Sequence, residues 1–226
     1  MTQTIAPVKQ IPVEYIWFPE RKCRSEYVAR RFGNLLKGRV LDVGCDRAYL
    51  KQLLAPNHSA AQPLDYIGID IGGTPDIEIN LEKIDRLPFQ DRSFDALVCT
   101  DVLEHLDNFH HVFSELLRVT RGVAVVSLPN CWAAARQPIA RGRGSFTHYG
   151  LPLDRPMDRH KWFFSLTEAM KFFEGHRQRG LFRNLSLHAT EKPRPAALRA
   201  LRRIRYPDEL HYLNRYAHTL WAVMEV

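Results

Sequence analysis

The chain of 226 residues carries a formal net charge of +7 at pH 7, and 45% of its residues are hydrophobic. This length and composition indicate one domain of ordinary size with a full core, and the sequence contains no evident repeat or low-complexity segment. No apolar run approaches the roughly 20 residues that span a membrane, and the N-terminus lacks the apolar core of a signal peptide. The four cysteines include no Cys-x-x-Cys pair, so they indicate neither a disulfide framework nor a zinc site, and reduced cysteines favour the cytoplasm.

The N-terminal part, residues 1–37, is predicted to be an extended lead-in followed by a helix. Residues 11–22 are aromatic and interrupted by prolines, which is typical of extended backbone. Residues 24–36 have the pattern of a helix that packs beside the first strand.

Residues 39–50 predict a buried strand, a tight turn and the start of a helix. The apolar strand leads to Asp42, and Gly44 opens the turn. In a parallel α/β sheet, such a turn presents backbone N–H groups and a helix N-terminus to a nucleotide-like ligand. Asp70 ends the second strand, where a carboxylate can accept hydrogen bonds from both hydroxyls of a ribose. The two segments together predict a site for an adenosine-containing ligand.

The residues of the turn do not favour a dinucleotide. A dinucleotide site needs Gly-x-Gly-x-x-Gly, so that a pyrophosphate can approach the backbone. Here Asp46 stands where a phosphate would lie. Asp42 and Asp46 would repel a phosphate, but they could hold a cationic ammonium or sulfonium group.

The turn resembles the first motif of the class I S-adenosylmethionine-dependent methyltransferases, Asp-x-Gly-x-Gly-x-Gly. Asp42 and Gly44 match this motif, whereas Asp46 and Ala48 replace the later glycines. Residues 87–106 resemble the middle region of the family almost residue for residue. The resemblance covers residues 38–174 and implies a single methyltransferase domain over residues 1–226.

The remaining pattern alternates short apolar strands with helices, which predicts a parallel doubly wound α/β sheet. The predicted later strands are residues 94–99, 123–128, 182–188 and 218–224, and Gly122 is expected to separate a helix from the strand after it. The resemblance implies a Rossmann-like sheet of seven strands with helices on both faces. In this family the last strand is antiparallel and lies between the fifth and sixth strands.

The resemblance implies that the cofactor is S-adenosylmethionine. Asn80 and Leu81 stand where the family often places an Asp-Leu pair beside the adenine. The residues expected to bind the cofactor are Asp42, Gly44, Cys45, Asp46, Asp70, Ile71, Asn80, Leu81 and Asp101.

Residues 130–165 are predicted to form a cover over the acceptor pocket. Ser165 and Glu168 have the spacing of a capping box, which predicts the start of a helix, and Gly175 is its expected end. His160 lies just before this helix in a His-x-Trp-x-Phe-Ser sequence that resembles methyltransferases of bacterial sugar, polysaccharide and small-metabolite pathways. His160 and His105 are the candidate catalytic bases.

Three further residues are candidates for contact with the acceptor, and no metal ligand is expected. These substrate candidates are His148, Tyr149 and Trp162.

Residues 191–214 are predicted to form a basic helical insertion. Leu198, Leu201 and Ile204 alternate with arginines, so an apolar face is expected to pack while a cationic face stays in solvent. A solvated face is one interpretation of the charge. An acidic acceptor, an anionic membrane surface and RNA are the functional alternatives, and RNA is the least favoured because no aromatic residues interleave with the arginines.

Three functional hypotheses follow from these features. The first is methyl transfer to a hydroxyl or amine of a small-molecule or glycan acceptor in bacterial envelope or metabolite biosynthesis. The second is a tRNA methyltransferase, suggested by the basic charge and by the Asp46-Arg-Ala48 turn. The third is a degenerate domain that binds the cofactor or a partner without catalysis.

Overall fold

The computed structural model describes residues 11–57, 64–145, 148–154, 156 and 158–226. The strands are β1 (Val13–Tyr15), β2 (Arg39–Val43), β3 (Asp65–Asp70), β4 (Ile77–Glu78), β5 (Phe94–Thr100), β6 (Thr120–Pro129), β7 (Asn184–Glu191) and β8 (Ala217–Glu225). The α-helices are α1 (Arg21–Phe32), α2 (Tyr49–Leu54), α3 (Phe109–Val119), α4 (Cys131–Arg141), α5 (Leu166–Gln178), α6 (Ala196–Arg205) and α7 (Glu209–Tyr216). Short 3₁₀ helices cover Ala55–Asn57, Leu81–Lys83 and Leu103–His105.

The described strands form one sheet in the order β1-β7-β8-β6-β5-β2-β3-β4. β8 lies between β6 and β7 and is antiparallel to both, so the predicted placement of the last strand is confirmed. The pairs β2–β3, β2–β5 and β5–β6 are parallel, as the α/β alternation predicted.

The described sheet has eight strands, whereas seven were predicted. The additional strand is β1, which comes from the extended lead-in and pairs in parallel with β7, Val13 opposite Ala189. Its three residues carry a mixed burial pattern, because only part of an edge strand faces the core. A strand this short gives no periodicity that sequence analysis can detect.

Helices cover both faces of the sheet. On one face, Tyr27 and Phe32 of α1 pack against Trp221 of β8, in a cluster that also contains Leu54 of α2. On the other face, buried side chains of α3, α5 and α7 form a larger core with the sheet. The doubly wound α/β architecture is therefore confirmed.

Two glycines behave differently from their predicted roles. Gly122 lies inside β6, where a Cβ would come 2.3 Å from the backbone oxygen of Asp95, so its small size permits the close approach of β5 at an irregularity of the ladder. Gly175 lies inside α5, which continues to Gln178. The start of α5 was predicted correctly, because Ser165 and Glu168 form the capping box.

The carboxyl ends of β2, β3, β5, β6 and β7 share one edge of the sheet. β7 and β6 run in the same direction because both are antiparallel to β8. The turn after β2, the 3₁₀ helix Leu103–His105, the start of α4 and the α6–α7 insertion therefore all lie along this edge.

The predicted orientation of the basic insertion is wrong. None of the residues of α6 is buried, and Leu198, Leu201 and Ile204 are 38%, 62% and 78% exposed. Three arginines of the helix, Arg199, Arg202 and Arg203, face inward instead. The Arg203 guanidinium lies 3.7 Å from the centre of the Tyr212 ring and 2.8 Å from Glu209.

A buried acid explains this inversion. Glu191 at the end of β7 is 1% exposed, accepts a hydrogen bond from the Tyr212 hydroxyl at 2.8 Å and pairs with Arg202 at 3.1 Å. A buried carboxylate without a cation is costly, so the need to pair Glu191 outweighs the burial of three aliphatic side chains.

The described cysteines are free, and all of them except Cys23 are buried. Among the described helices, none combines the length and hydropathy required to cross a membrane.

Candidate active site

The turn after β2 is held by close backbone packing. Gly44 has φ +76°, and a Cβ on it would lie 2.3 Å from Cγ2 of Val102, so this position requires glycine. Its N–H donates to the carbonyl of Ile69 at 2.8 Å, which joins the turn to the end of β3.

The two non-glycine residues of the turn adopt the conformation that glycine favours. Asp46 has φ 49° and Ala48 has φ 50°, at the positions where the family motif has its later glycines. A left-handed backbone costs such residues roughly 1–2 kcal/mol each. The chain therefore keeps the shape of the turn without the glycines. Contacts around the turn must offset the cost of the two left-handed residues.

The Asp70 carboxylate contributes to that support. Its Oδ2 accepts from the backbone N–H of Asp46 at 2.8 Å, and its Oδ1 accepts from that of Ile71 at 2.7 Å. Each oxygen retains a second lone pair for a ribose hydroxyl. The Ile71 side chain is 64% exposed beside it and forms an apolar surface, which the sequence predicted to contact the cofactor.

Asp42 lies beneath the turn and not on its surface. It is 6% exposed, and the Tyr66 hydroxyl donates to its Oδ2. Burial raises the pKa of Asp42 to about 7; the hydrogen bond from Tyr66 opposes this rise, and the negative charge of Asp70 adds to it. Asp42 is therefore placed to act on a cation above the turn only through the backbone of the turn, without direct contact.

Cys45 and the pair Asn80–Leu81 have structural contacts of their own. Burial raises the pKa of the Cys45 thiol to about 12, so this residue packs and is not a nucleophile. The Asn80 side chain caps the following 3₁₀ helix by accepting from the N–H of Glu82 at 3.0 Å, and Leu81 is buried. Ile79 donates to the Asp70 carbonyl at 2.8 Å, which brings this segment beside the predicted ribose position.

Asp101 is fixed at the end of β5 by two residues that sequence reasoning missed. Arg24 of α1 pairs with its Oδ2 at 2.6 Å, and the Ser127 hydroxyl of β6 donates to its Oδ1 at 2.5 Å. Asp101 has φ 50°, a strained conformation that these contacts stabilise. An arginine in a surface-like helix carries no sequence signal for such a role.

Glu104, His105 and His160 form a cluster immediately after Asp101. Glu104 is fully buried, and its Oε1 lies 3.8 Å from Nε2 of His105 and 4.0 Å from Nε2 of His160. Lys161 donates its backbone N–H to the Glu104 carbonyl at 2.8 Å. The cover segment is thereby attached to the end of β5, and the two candidate catalytic histidines are brought together.

The substrate candidates His148 and Tyr149 contact the same cluster. The His148 ring stacks on the His160 ring with centroids 4.4 Å apart, and the Tyr149 hydroxyl lies 2.8 Å from Nδ1 of His160. Trp162 is placed differently, because its indole N–H donates to the Leu106 carbonyl at 2.7 Å and its ring stacks on His110.

Burial sets the protonation of the cluster. It lowers the pKa of His160 to about 4, and the neighbouring His105 and His148 lower it further while Asp101 and Asp158 oppose the shift. Burial also lowers the pKa of His105. It raises the pKa of Glu104 well above the usual range; Asp101 adds to this rise, while the backbone N–H of Glu104 and Arg24 oppose it.

Known proteins resemble this chain in sequence. A family model described as a methyltransferase domain matches residues 18–176. A probable S-adenosylmethionine-dependent methyltransferase of Mycolicibacterium smegmatis is 34% identical over 124 residues, covering 52% of this chain and 47% of that protein. Another probable S-adenosylmethionine-dependent methyltransferase, of Mycobacterium tuberculosis, is 28% identical over 130 residues, covering 54% of this chain and 46% of that protein. The chain thus spans about half the length of the curated relatives it matches.

Solved structures share the fold. A SAM-dependent methyltransferase from Archaeoglobus fulgidus matches with a TM-score of 0.55 over 92% of this chain and 95% of that chain, at 16% identity. The family match covers most of the chain, including the turn after β2 and the histidine cluster. The chain therefore belongs to the S-adenosylmethionine-dependent methyltransferases, and its cofactor is S-adenosylmethionine, as the sequence predicted.

Proposed function

We propose that the protein transfers a methyl group from S-adenosylmethionine to a hydroxyl or amine of a small-molecule or glycan acceptor. When bound, the cofactor supplies a methyl group on a positively charged sulfur. The transfer breaks the carbon–sulfur bond, forms a carbon–oxygen or carbon–nitrogen bond and releases one proton from the acceptor. The chain must position the two reactants and accept or direct that proton.

The contact between Gly44 and Val102 carries this proposal. Gly44 opens the turn expected to hold the cofactor, and Val102 directly precedes the 3₁₀ helix that contains Glu104 and His105. The cofactor turn and the histidine cluster are therefore direct neighbours at the carboxyl edge of the sheet. This arrangement supports a reaction between a cofactor on the turn and an acceptor beneath the cover segment.

The proposed catalytic residues are His160 and His105. Neutral imidazole groups suit proton handling near pH 7, and burial favours the neutral form of both. His148 and Tyr149 are proposed to line the acceptor position because both contact His160. Trp162 is proposed to act at its rim, since it is 38% exposed and held by Leu106.

The contacts of the basic insertion favour a small or glycan acceptor over tRNA. Arg199, Arg202 and Arg203 are engaged by aromatic rings or acids of the chain itself, which reduces the charge available to a phosphate backbone. The proposed setting is bacterial envelope or metabolite biosynthesis, and the free buried cysteines support a reducing compartment such as the cytoplasm.

The test is methyl transfer by the full chain from labelled S-adenosylmethionine to separate acceptor pools. The pools are sugars and nucleotide sugars, small amines and phenols, and bulk tRNA. We expect transfer to the first or second pool, with kcat reduced by roughly 100-fold or more in His160→Gln. Transfer to tRNA alone, with an affinity that falls steeply with salt, would favour the tRNA hypothesis. Cofactor binding without transfer to any pool would favour the non-catalytic one.

A further inference from the structure

Glu104 is a buried acid that no other residue neutralises. Its side chain is 0% exposed, and neither carboxylate oxygen accepts a hydrogen bond from another described residue. An isolated buried carboxylate costs several kcal/mol, so native proteins pair it, protonate it or bind it to a metal. The surroundings of Glu104 distinguish between these alternatives.

Two imidazole rings lie near the Glu104 carboxylate, but neither forms a hydrogen bond with it. Nε2 of His105 and Nε2 of His160 lie 3.8 and 4.0 Å from Oε1, which is too far for a direct hydrogen bond. One carboxylate oxygen and one ring nitrogen from each histidine fall within 4.8 Å of one another. Ligands of one cation at bond lengths near 2.1 Å lie about 3–3.5 Å apart, so Oε1 of Glu104 would have to move about half an ångström closer to each ring nitrogen to share an ion with it.

The outer nitrogens of both rings have partners that orient them. Nδ1 of His105 lies 2.6 Å from Oδ1 of Asp158, although it is not aligned for a regular hydrogen bond. Nδ1 of His160 lies 2.8 Å from the Tyr149 hydroxyl, which can accept from the ring and donate to the Trp162 carbonyl at 3.0 Å. A metal-binding histidine commonly has its outer nitrogen held by a carboxylate or another oxygen in this way.

The neighbouring acid Asp101 is not free to serve as a further ligand of a cation in the cluster. Arg24 and Ser127 occupy its two oxygens. The cluster is thus left with one carboxylate, two nitrogen ligands and no cationic side chain of its own. Two imidazoles and one carboxylate suit a divalent transition-metal ion and leave an open coordination position.

We propose that Glu104, His105 and His160 bind a divalent transition-metal ion, with Asp158 and Tyr149 orienting the two histidines. Neither the spacing of these residues along the sequence nor the family match indicates this site. An acceptor oxygen takes the open position on the ion, which lowers the pKa of an acceptor hydroxyl so that its proton passes to water. This role rests on the proposed methyl transfer but assigns activation of the acceptor to the ion, with His105 and His160 as its ligands and not as bases. The binding of the ion does not depend on that transfer.

The test uses Co²⁺ as the probe, because its visible absorption bands report nitrogen and oxygen ligands directly. The full chain is stripped with EDTA, dialysed and titrated with CoCl₂. We expect one equivalent to bind to wild type, with affinity reduced more than roughly 100-fold in Glu104→Gln and His160→Gln and about 10-fold in Asp158→Asn. His111→Gln, an exposed histidine outside the cluster, is the matched control and should bind as wild type does.

Thermal melting distinguishes a variant that has lost the Co²⁺ site from one that has failed to fold. Metal-free Glu104→Gln should melt at least as high as metal-free wild type, because the substitution removes an unpaired buried carboxylate. Co²⁺ should raise the melting temperature of wild type and not that of the variant.

Two results would overturn the site: no Co²⁺ bands from wild type at millimolar CoCl₂, or equal binding by wild type and by both ligand variants. Full methyl transfer by chelated wild type would overturn the role in the reaction even if the ion binds. Failure to find any acceptor would bear on the proposed function alone, since the absorption titration requires none.

Discussion

Gly44 and Val102 approach each other so closely that a single added carbon at residue 44 would lie 2.3 Å from Cγ2 of Val102. This contact joins the two segments that the proposed reaction needs, because one carries the turn proposed to hold the cofactor and the other leads to the histidine cluster.

Replacement of Gly44 by alanine tests the contact. The variant combines a left-handed backbone at φ +76° with the clash against Val102, so we expect a loss of at least about 2 kcal/mol in unfolding free energy or a failure to bind the cofactor. The matched control is Gly142→Ala, which has φ +60° and no atom within 4 Å of the added carbon. Urea denaturation should show a loss of only about 1 kcal/mol for the control. Equal losses in the two variants would mean that the contact with Val102 has no energetic weight.

The buried Asp42 should make stability fall as pH rises. Its pKa is about 7 in the folded protein and 3.8 in the unfolded chain, so the folded state holds the proton more tightly. The stabilisation is complete below pH 3.8 and is lost as the pH rises through 7. In Asp42→Asn this loss should disappear. The unfolding free energy of the variant minus that of wild type should therefore increase by on the order of 2 kcal/mol from pH 5 to pH 8. Urea unfolding at the two pH values measures the difference, and a constant difference would show that Asp42 is ionised throughout.

His188 should have the opposite effect on stability. Its ring is 4% exposed and lies 2.7 Å from the Tyr27 hydroxyl, and burial lowers its pKa from 6.5 to about 4. Its contribution is therefore complete above pH 6.5 and is lost as the pH falls toward 4.

The substitution His188→Gln removes this titration. The drop in unfolding free energy from pH 7.5 to pH 5 should be smaller in the variant by on the order of 2 kcal/mol. His111→Gln changes a histidine on the surface and should leave the drop as in wild type. If His188→Gln also leaves it unchanged, the acid sensitivity of the protein has another origin.

In α6, loss of an arginine should destabilise the protein more than loss of a leucine, which is the reverse of the usual order for charged and apolar side chains. Leu201→Ala should change the unfolding free energy by less than about 0.5 kcal/mol because the side chain is 62% exposed. Arg203→Ala should cost about 1 kcal/mol, since its guanidinium covers Tyr212 and pairs with Glu209. A larger loss for Leu201→Ala than for Arg203→Ala would show that α6 packs through its leucines after all.

Local sequence patterns were sufficient for much of the fold, including the strand and turn that lead from Asp42 to Ala48. The strand leading to Asp42, the acid at Asp70 and the capping box at Ser165 each depend on neighbouring residues, and the structure places all three as predicted. The departures depend on contacts between distant parts of the chain. The orientation of α6 follows from the burial of Glu191, and no local pattern indicates that burial.

The histidine cluster shows the same limit. His105 and His160 were predicted separately, but their meeting around Glu104 depends on a cover segment that bonds back through Lys161 to the end of β5. Arg24, which holds Asp101, comes from the first helix and is remote in sequence from the residue it pairs with. Pairings between residues so far apart in sequence can be identified only from the three-dimensional structure.

Calorimetric titration with S-adenosylmethionine tests the central claim, that the turn after β2 and the tip of β3 hold this cofactor. Wild type should bind one equivalent saturably, and Asp70→Ala should bind at least roughly 10-fold more weakly, because it loses the acceptor for the ribose hydroxyls and the support of the Asp46 N–H. Asp65→Asn, at the opposite end of the same strand, should bind as wild type does. Absence of binding by wild type at millimolar cofactor would contradict the claim, and unchanged binding by Asp70→Ala would contradict the placement of the ribose.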